Sequence, residues 1–472
     1  MTGSPTTAAE GAHRADIGGL RAVLRLPAHA LCVLMIAGFQ MQLALYFGPS
    51  LIELSLWSLI YYGFWAATIG ITVLGTRPAL ARAWPVFVFS AICVGLALLR
   101  PLDTVAKNLI VAMATLSCSV VLANAAGASN ILRLSALGTA ASAVVCLIDI
   151  ILPTGMGNVL GRAAGFFVNP NDAAAALLLG TAASYAAVPL RWRGYFLILV
   201  GSALLVTLSK SMILAALCIL LLVCVLCWPL PRIRWFRHAY VALVLAGWIA
   251  TALYVNPRFA VAVHLAYRNI DTAVDAFKAA HDDVERTLAS NEFDGRSVDS
   301  IIEAISRRAS NEGIINSVSA RGLLIERAWL VYRKYPWTGV GLKVAYALQP
   351  HNSFLMFALA VGLVGWLVPL GLIGLSALPM MRTKDPSQIA LPLATFVIAM
   401  VSHNLLFSQA LLLPIAFAIT AGRDHTSAAN AARDRRISSG SNAPLVPPNS
   451  RRNRPRLAAQ ARRPRRNRIL TI

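Results

Sequence analysis

Charge is what this sequence has least of. Only 13% of its 472 residues are charged, and 57% are hydrophobic. A soluble globular domain carries about 25% charged residues, so an ordinary water-soluble fold is excluded. The mean hydropathy of +0.66 agrees. Acidic residues are scarcer still, at 20 against 42 Lys+Arg. Within the apolar runs the acidic candidates are Asp149 and Glu53, both near run ends. A transporter or flippase tends to carry ionisable groups inside its spans and to show inverted repeats. No clear repeat is visible here, so that class stays an alternative rather than the first reading. The seven cysteines all fall inside apolar runs. Cys224 and Cys227 form one CxxC with no second pair, which suggests neither a disulfide framework nor a zinc site. The first apolar run also lacks the short core and small-residue cleavage site of a signal peptide.

What is abundant is apolar runs of about 20 residues, the length needed to cross a bilayer core of about 30 Å. Twelve spans are predicted, at 28–48, 51–75, 84–99, 105–126, 133–152, 172–190, 195–209, 211–229, 239–255, 353–380, 388–406 and 409–421. The stretch 195–229 is divided at Lys210 because one helix of that length, about 52 Å, is too long for a single crossing. The basic residues test the count. With the N-terminus inside, alternate loops hold Arg77 and Arg82; Arg133; Arg191 and Arg193; Arg232, Arg234 and Arg237; and Arg382 and Lys384. The short outer connections hold only Arg100, Lys107, Arg162 and Lys210. That asymmetry is the positive-inside pattern, and it puts both termini on the cytoplasmic side.

The resulting expectation is an all-α polytopic membrane protein of about twelve transmembrane helices with a long helical outer loop. Its parts are an N-terminal tail (1–27), nine helices (28–255), the loop (256–350), three helices (351–421) and a basic, disordered tail (422–472). The loop carries 12 Lys+Arg and 11 Asp+Glu. Helical periodicity runs through Ile270, Val274, Phe277, Val284 and Leu288, then through Val298, Ile301, Ile302 and Ile305, and a third helix is expected from Gly322 to Tyr332. The tail holds 13 of the 42 basic residues. Its composition suits attraction to anionic inner-leaflet lipids at about 1 kcal/mol per basic residue, so membrane lipids are expected partners and nucleic acid is not.

Several outer-side residues could carry chemistry. In GRAAGFFVNPNDAA, Asn169, Asn171 and Asp172 can cap the next helix or line a polar lip. Lys210 in TLSKSMIL can snorkel to the interface or hold a lipid-linked phosphate. Arg321, Arg327, Arg333 and Lys334, interleaved with Trp329, Tyr332, Tyr335 and Trp337, suit an interface belt or a sugar pyrophosphate. His351 and Asn352 open an uncharged run; the histidine is either a helix-start residue or a base for an acceptor hydroxyl. A second histidine, His403, sits in Ser402-His403-Asn404 near the outer end of the eleventh span, where polar groups tend to face a cavity.

His351-Asn352, nine residues, then Gly362-Leu-Val-Gly365 resembles the periplasmic motif of the bacterial O-antigen ligase and O-antigen polymerase superfamily. PWTGVGL, FVNPNDAA and the long outer loop are similar in kind and order, and the resemblance covers roughly residues 150–410. It implies an inverting, metal-independent glycosyltransferase without cofactor, in the bacterial inner membrane. The donor it implies is an undecaprenyl-pyrophosphate-linked glycan. The acceptor is a lipid A-core sugar for a ligase and another lipid-linked glycan for a polymerase. By that resemblance His351 is the catalytic base, and Lys210 and Arg321 bind pyrophosphate, with Arg327 competing for the second role. Asn352, Asn169, Asn171, Gly362, Gly365 and His403 support the site. The family's arginine-x-x-x-leucine element appears here as Lys210-Ser-Met-Ile-Leu214, which keeps the charge but loses the planar fork. A structural scaffold is the remaining class.

Overall fold

The computed structural model describes residues 24–44, 46–47, 63, 65, 67, 68, 70, 77–99, 102–152, 156, 162–226, 317–383 and 386–421. Among these residues the structure is helical, with no strand. The helices are α1 (Leu24–Gln40), α2 (Arg77–Leu98), α3 (Thr104–Ala126), α4 (Ala128–Ile151), α5 (Pro170–Ser184), α6 (Arg193–Val206), α7 (Lys210–Leu226), α8 (Ser317–Lys334), α9 (Leu342–Ala347), α10 (Ser353–Val361), α11 (Leu367–Thr383), α12 (Ala390–Val401) and α13 (Gln409–Ala421). Among the described residues, three helical stretches are long and apolar enough to cross a membrane, namely α3, α4 and Leu363–Thr383. The expected crossings at 51–75 and 239–255 and the first two loop helices lie largely or wholly outside the described residues, as do the two tails. The predicted division at Lys210 is present: α6 ends at Val206 and α7 begins at Lys210.

Local chemistry fixes several joints. The Asp103 side chain accepts from Ala106 N at 2.7 Å and starts α3, satisfying one of the helix's orphan donors. Gly127, at φ 99°, turns α3 into α4, and Arg25 Nε donates to Ala126 O at 3.3 Å across that turn. Within the apolar packing, Gln40 Nε2 donates to Ser135 O (2.9 Å) and Thr139 Oγ1 (3.1 Å), and Ser135 Oγ donates back to Gln40 Oε1 (3.0 Å). Such pairs tie helices together where lipid offers no alternative partner. α5 is rich in alanine, and it packs against α4, α6, α7 and α12.

One expectation fails. Residues 353–380 are not a single crossing helix. α10 ends after nine residues, about 13.5 Å, less than half the bilayer core. At Gly362 the chain doubles back. The Gly365 backbone lies against Phe357 and Ala358, and the Trp366 and Phe354 rings approach to 5.9 Å. In a continuous helix, eight residues would separate positions 357 and 365 by about 12 Å. α11 then starts from the same end of the bundle as α10. Hydropathy alone could not show this, because both arms are apolar.

Neighbouring backbone makes the reversal affordable. The buried end of α10 exposes carbonyls that would be costly in an apolar interior. The segment 336–341 meets them: Val340 N donates to Leu359 O at 2.6 Å and Gly341 N to Ala360 O at 3.0 Å, while Leu363 N donates to Pro336 O at 2.8 Å. The approach requires glycine. A Cβ on Gly339 would stand 2.6 Å from the Ala360 carbonyl, and one on Gly362 (φ 81°) would overlap the Trp337 carbonyl. From Phe354 to Ala360 every α10 side chain is at most 5% exposed. A helix apolar on all sides is stable only when surrounded.

Candidate active site

The seat of His351 is built from the start of α10. Asn352 is the N-cap, its side chain accepting from Leu355 N at 3.1 Å. That fixes the chain direction just after His351. The Ser353 hydroxyl donates to Ser402 O at 2.6 Å, pinning the α12–α13 loop to the same spot. His403 is thereby brought to His351, ring centroids 5.1 Å apart and edge-on at 73°. Tyr346 packs edge-on against His403 at 5.3 Å, and its hydroxyl donates to Asn404 Oδ1 at 3.2 Å. Phe407 backs Tyr346 at 5.5 Å and stacks on Phe357 of α10 at 6.1 Å. α9, α10 and the α12–α13 loop therefore meet around two imidazoles.

His403 lies in the loop after α12 and is 6% exposed, with its Nδ1 unpartnered among the described residues. Burial, and then the charge of His351, push its imidazole down to about 4. An imidazole in an unfolded chain titrates near 6.5, so acid protonates the unfolded chain first. The contribution of His403 to stability is thus present above about pH 6.5 and lost as pH falls toward about 4, and is worth on the order of 3 kcal/mol. His403→Phe should remove that acid sensitivity. Unfolding midpoints of both proteins between about pH 4 and 7 measure it, and an equal acid loss in the two would contradict the assignment.

A second cluster forms where the 162–171 loop meets the α6–α7 junction. Arg162 Nε donates to Thr207 O at 2.8 Å and Arg162 Nη2 to Asn171 Oδ1 at 3.0 Å. Ala163 N donates to Val206 O at 3.1 Å. Asn169 caps α5 by accepting from Asn171 N at 2.9 Å, and Asp149 Oδ2 accepts from Ala164 N and Gly165 N, each at 2.9 Å. Lys210 stands exposed at the first position of α7. α5 joins this cluster to the histidines. Asp172, the residue after Asn171, is close enough for its charge to raise the Tyr346 hydroxyl, adding to the larger effect of burial. Among the described residues, four of the five non-glycine positions with positive φ fall in these loops: Val168 (62°), Leu208 (51°), Gln349 (43°) and His351 (48°). Left-handed backbone costs such residues about 1–3 kcal/mol each and is concentrated at functional sites.

Residues 195–370 match the O-antigen ligase family. That segment is similar to an O-antigen ligase domain. The chain is a membrane protein, and the matched segment is under half its length. The O-antigen ligase match includes Lys210, Arg321, Arg327, His351, Gly362 and Gly365, while Asn169, Asn171 and His403 lie outside it. A comparison with curated proteins finds no match.

Within the O-antigen ligase segment the expected residues are not all in one place. Gly362 ends α10 on the side away from His351 and Gly365 packs against its middle turn at Phe357 and Ala358, so both shape the reversal. Arg327 is half-buried on α8, which packs against α10; Arg321 lies earlier on the same helix, and its side chain is outside the described positions. Tyr346, Asn404 and the role of Arg162 were missed from sequence. Tyr346 had a readable signal, standing five residues before His351, but its partner is 58 residues further on.

Proposed function

We propose that the protein is an O-antigen ligase-like glycosyltransferase. It moves a glycan from undecaprenyl pyrophosphate to a lipid A-core hydroxyl at the periplasmic face of the bacterial inner membrane. Both termini are cytoplasmic in this reading. The observation that carries it is the seating of His351: a half-buried imidazole on left-handed backbone, edge-on to a second imidazole held neutral.

The chemistry follows from that seat. The acceptor oxygen attacks the anomeric carbon while its proton passes to the His351 imidazole. The bond from that carbon to the pyrophosphate oxygen breaks, its electron pair leaves with the oxygen, and the configuration inverts. Neutral His403 lets His351 take up a proton without a second cation already present 5.1 Å away. Tyr346 and Asn404 hold His403 in register. Lys210, with Arg321 and Arg327 of α8, offers fixed cations for the leaving group.

Reconstitution tests this directly. Protein in liposomes, given a polyprenyl-pyrophosphate-linked glycan and lipid A-core, should yield glycosylated acceptor and free polyprenyl pyrophosphate. Transfer only onto a second lipid-linked glycan would make the protein a polymerase. A donor left intact with either acceptor would remove the transferase reading.

A further inference from the structure

α2 runs into α3 through residues 99–103, and a cavity of about 440 Å³ opens beside that joint. Its walls are the last turn of α2, the first turn of α3, residues 338–343 and the last turn of α10. The volume is that of a small-ligand site. It lies at the end of α10 away from His351, so it is separate from the paired imidazoles.

The surroundings put this cavity at the membrane edge. α3 is long and apolar enough to cross a membrane, so its first turn stands near a membrane surface. Trp337 adjoins the lining residue Thr338 and is 77% exposed. Exposed tryptophans gather at headgroup level. Leu99 and Leu102 line the cavity and are themselves exposed, which suits lipid as the neighbour better than water.

The lining is apolar apart from three side chains, Asp103, Thr338 and Lys343. Asp103 Oδ1 accepts from Ala106 N at 2.7 Å as the cap of α3, and Oδ2 has no hydrogen bond among the described residues. Lys343 is exposed, with neither a hydrogen bond nor an ion pair among the described residues. The two opposite charges thus line one cavity without pairing with each other. Lys107, one turn further along α3, does not line it, so the wall carries one charge of each sign. Such a wall complements a ligand that also carries both signs, its phosphate meeting the ammonium and its ammonium meeting the carboxylate.

We infer that the cavity binds a zwitterionic phospholipid of the phosphatidylethanolamine class. The phosphate rests on Lys343 and Thr338, and the ammonium donates to Asp103 Oδ2. The glycerol end and the first methylenes of the chains lie along Leu99 and Leu102. An anionic lipid with an uncharged headgroup alcohol leaves the carboxylate without its cation, and a choline headgroup has no N–H to donate. The site uses neither His351 nor the transfer reaction, so it stands or falls independently of them.

Native mass spectrometry of the full chain in detergent, with added dioleoyl phosphatidylethanolamine, tests the assignment. The wild-type protein should retain one molecule, about tenfold more tightly than the phosphatidylglycerol or phosphatidylcholine of the same chains, the usual worth of one charge-assisted hydrogen bond. Lys343→Gln should weaken both phosphatidylethanolamine and phosphatidylglycerol about tenfold. Asp103→Asn still caps α3 and removes only the charge. It should weaken phosphatidylethanolamine about tenfold and leave phosphatidylglycerol no weaker. The added phosphatidylethanolamine should also raise the unfolding midpoint of wild type more than that of either variant. Should Asp103→Asn fail to fold, Lys343→Gln carries the test. Phosphatidylethanolamine held equally by wild type and a folded variant, or as weakly as phosphatidylglycerol by wild type, overturns the proposal. So does a series of adducts with no preferred first molecule, which marks unselective coating of the apolar surface.

Discussion

Replacing His351 with alanine should slow glycan transfer about 10²–10⁴-fold, the usual worth of a positioned general base. Donor KM should barely move, because no cation is lost. The protein should also stay folded. The features that build the local structure are the Asn352 cap and the Ser353–Ser402 bond, and neither uses the imidazole. His351→Asn is the stricter variant, since asparagine tolerates the left-handed backbone at φ 48° and offers no base. Initial rates with reconstituted protein measure both. Rates within about threefold of wild type in either would exclude His351 as the base.

Gly365→Ala should leave little folded protein. A Cβ there overlaps the carbonyl of Phe357 and comes to 2.7 Å from Ala358 N, and both are backbone atoms of a fully buried helix. A flexible side chain could move aside; these atoms cannot. Overpacking costs about 1–3 kcal/mol where side chains adjust, and this position belongs at or beyond the upper end. Gly362→Ala adds a left-handed penalty of about 1–2 kcal/mol to its overlap with Trp337 O. Gly374→Ala in α11, where nothing lies within 4 Å, should be neutral or slightly stabilising. Yield of monodisperse protein and the unfolding midpoint in detergent separate the three. Equal behaviour of Gly365→Ala and Gly374→Ala would contradict the close approach.

Both predictions bear on how far the sequence could be read. The helices over 104–126 and 128–151 were legible because hydropathy and length agree within each segment. The break at Lys210 was legible from length alone. The reversal after α10 was not, because its cause is distant: the carbonyl acceptors on α10 are met by donors from 340 and 341. The Gly-x-x-Gly spacing is visible in the sequence, but not the backbone contacts it makes, Gly362 with Trp337 and Gly365 with Phe357 and Ala358. His351 could be singled out from its motif. Its neighbours His403, Tyr346 and Asn404 are joined across 49 to 58 residues, and no local pattern carries that information.

α10 also bears on what the surrounding membrane must withstand. His351 stands at the start of a half-helix whose seven consecutive side chains from Phe354 to Ala360 are nearly free of solvent contact. Its terminal carbonyls are already occupied by 340 and 341, so they offer no onward relay. Apolar constrictions of this kind block conduction by staying dry. Under the proposed transfer reaction the half-helix is therefore an insulator as well as a mount: a proton taken up at His351 finds no polar path along its buried side chains.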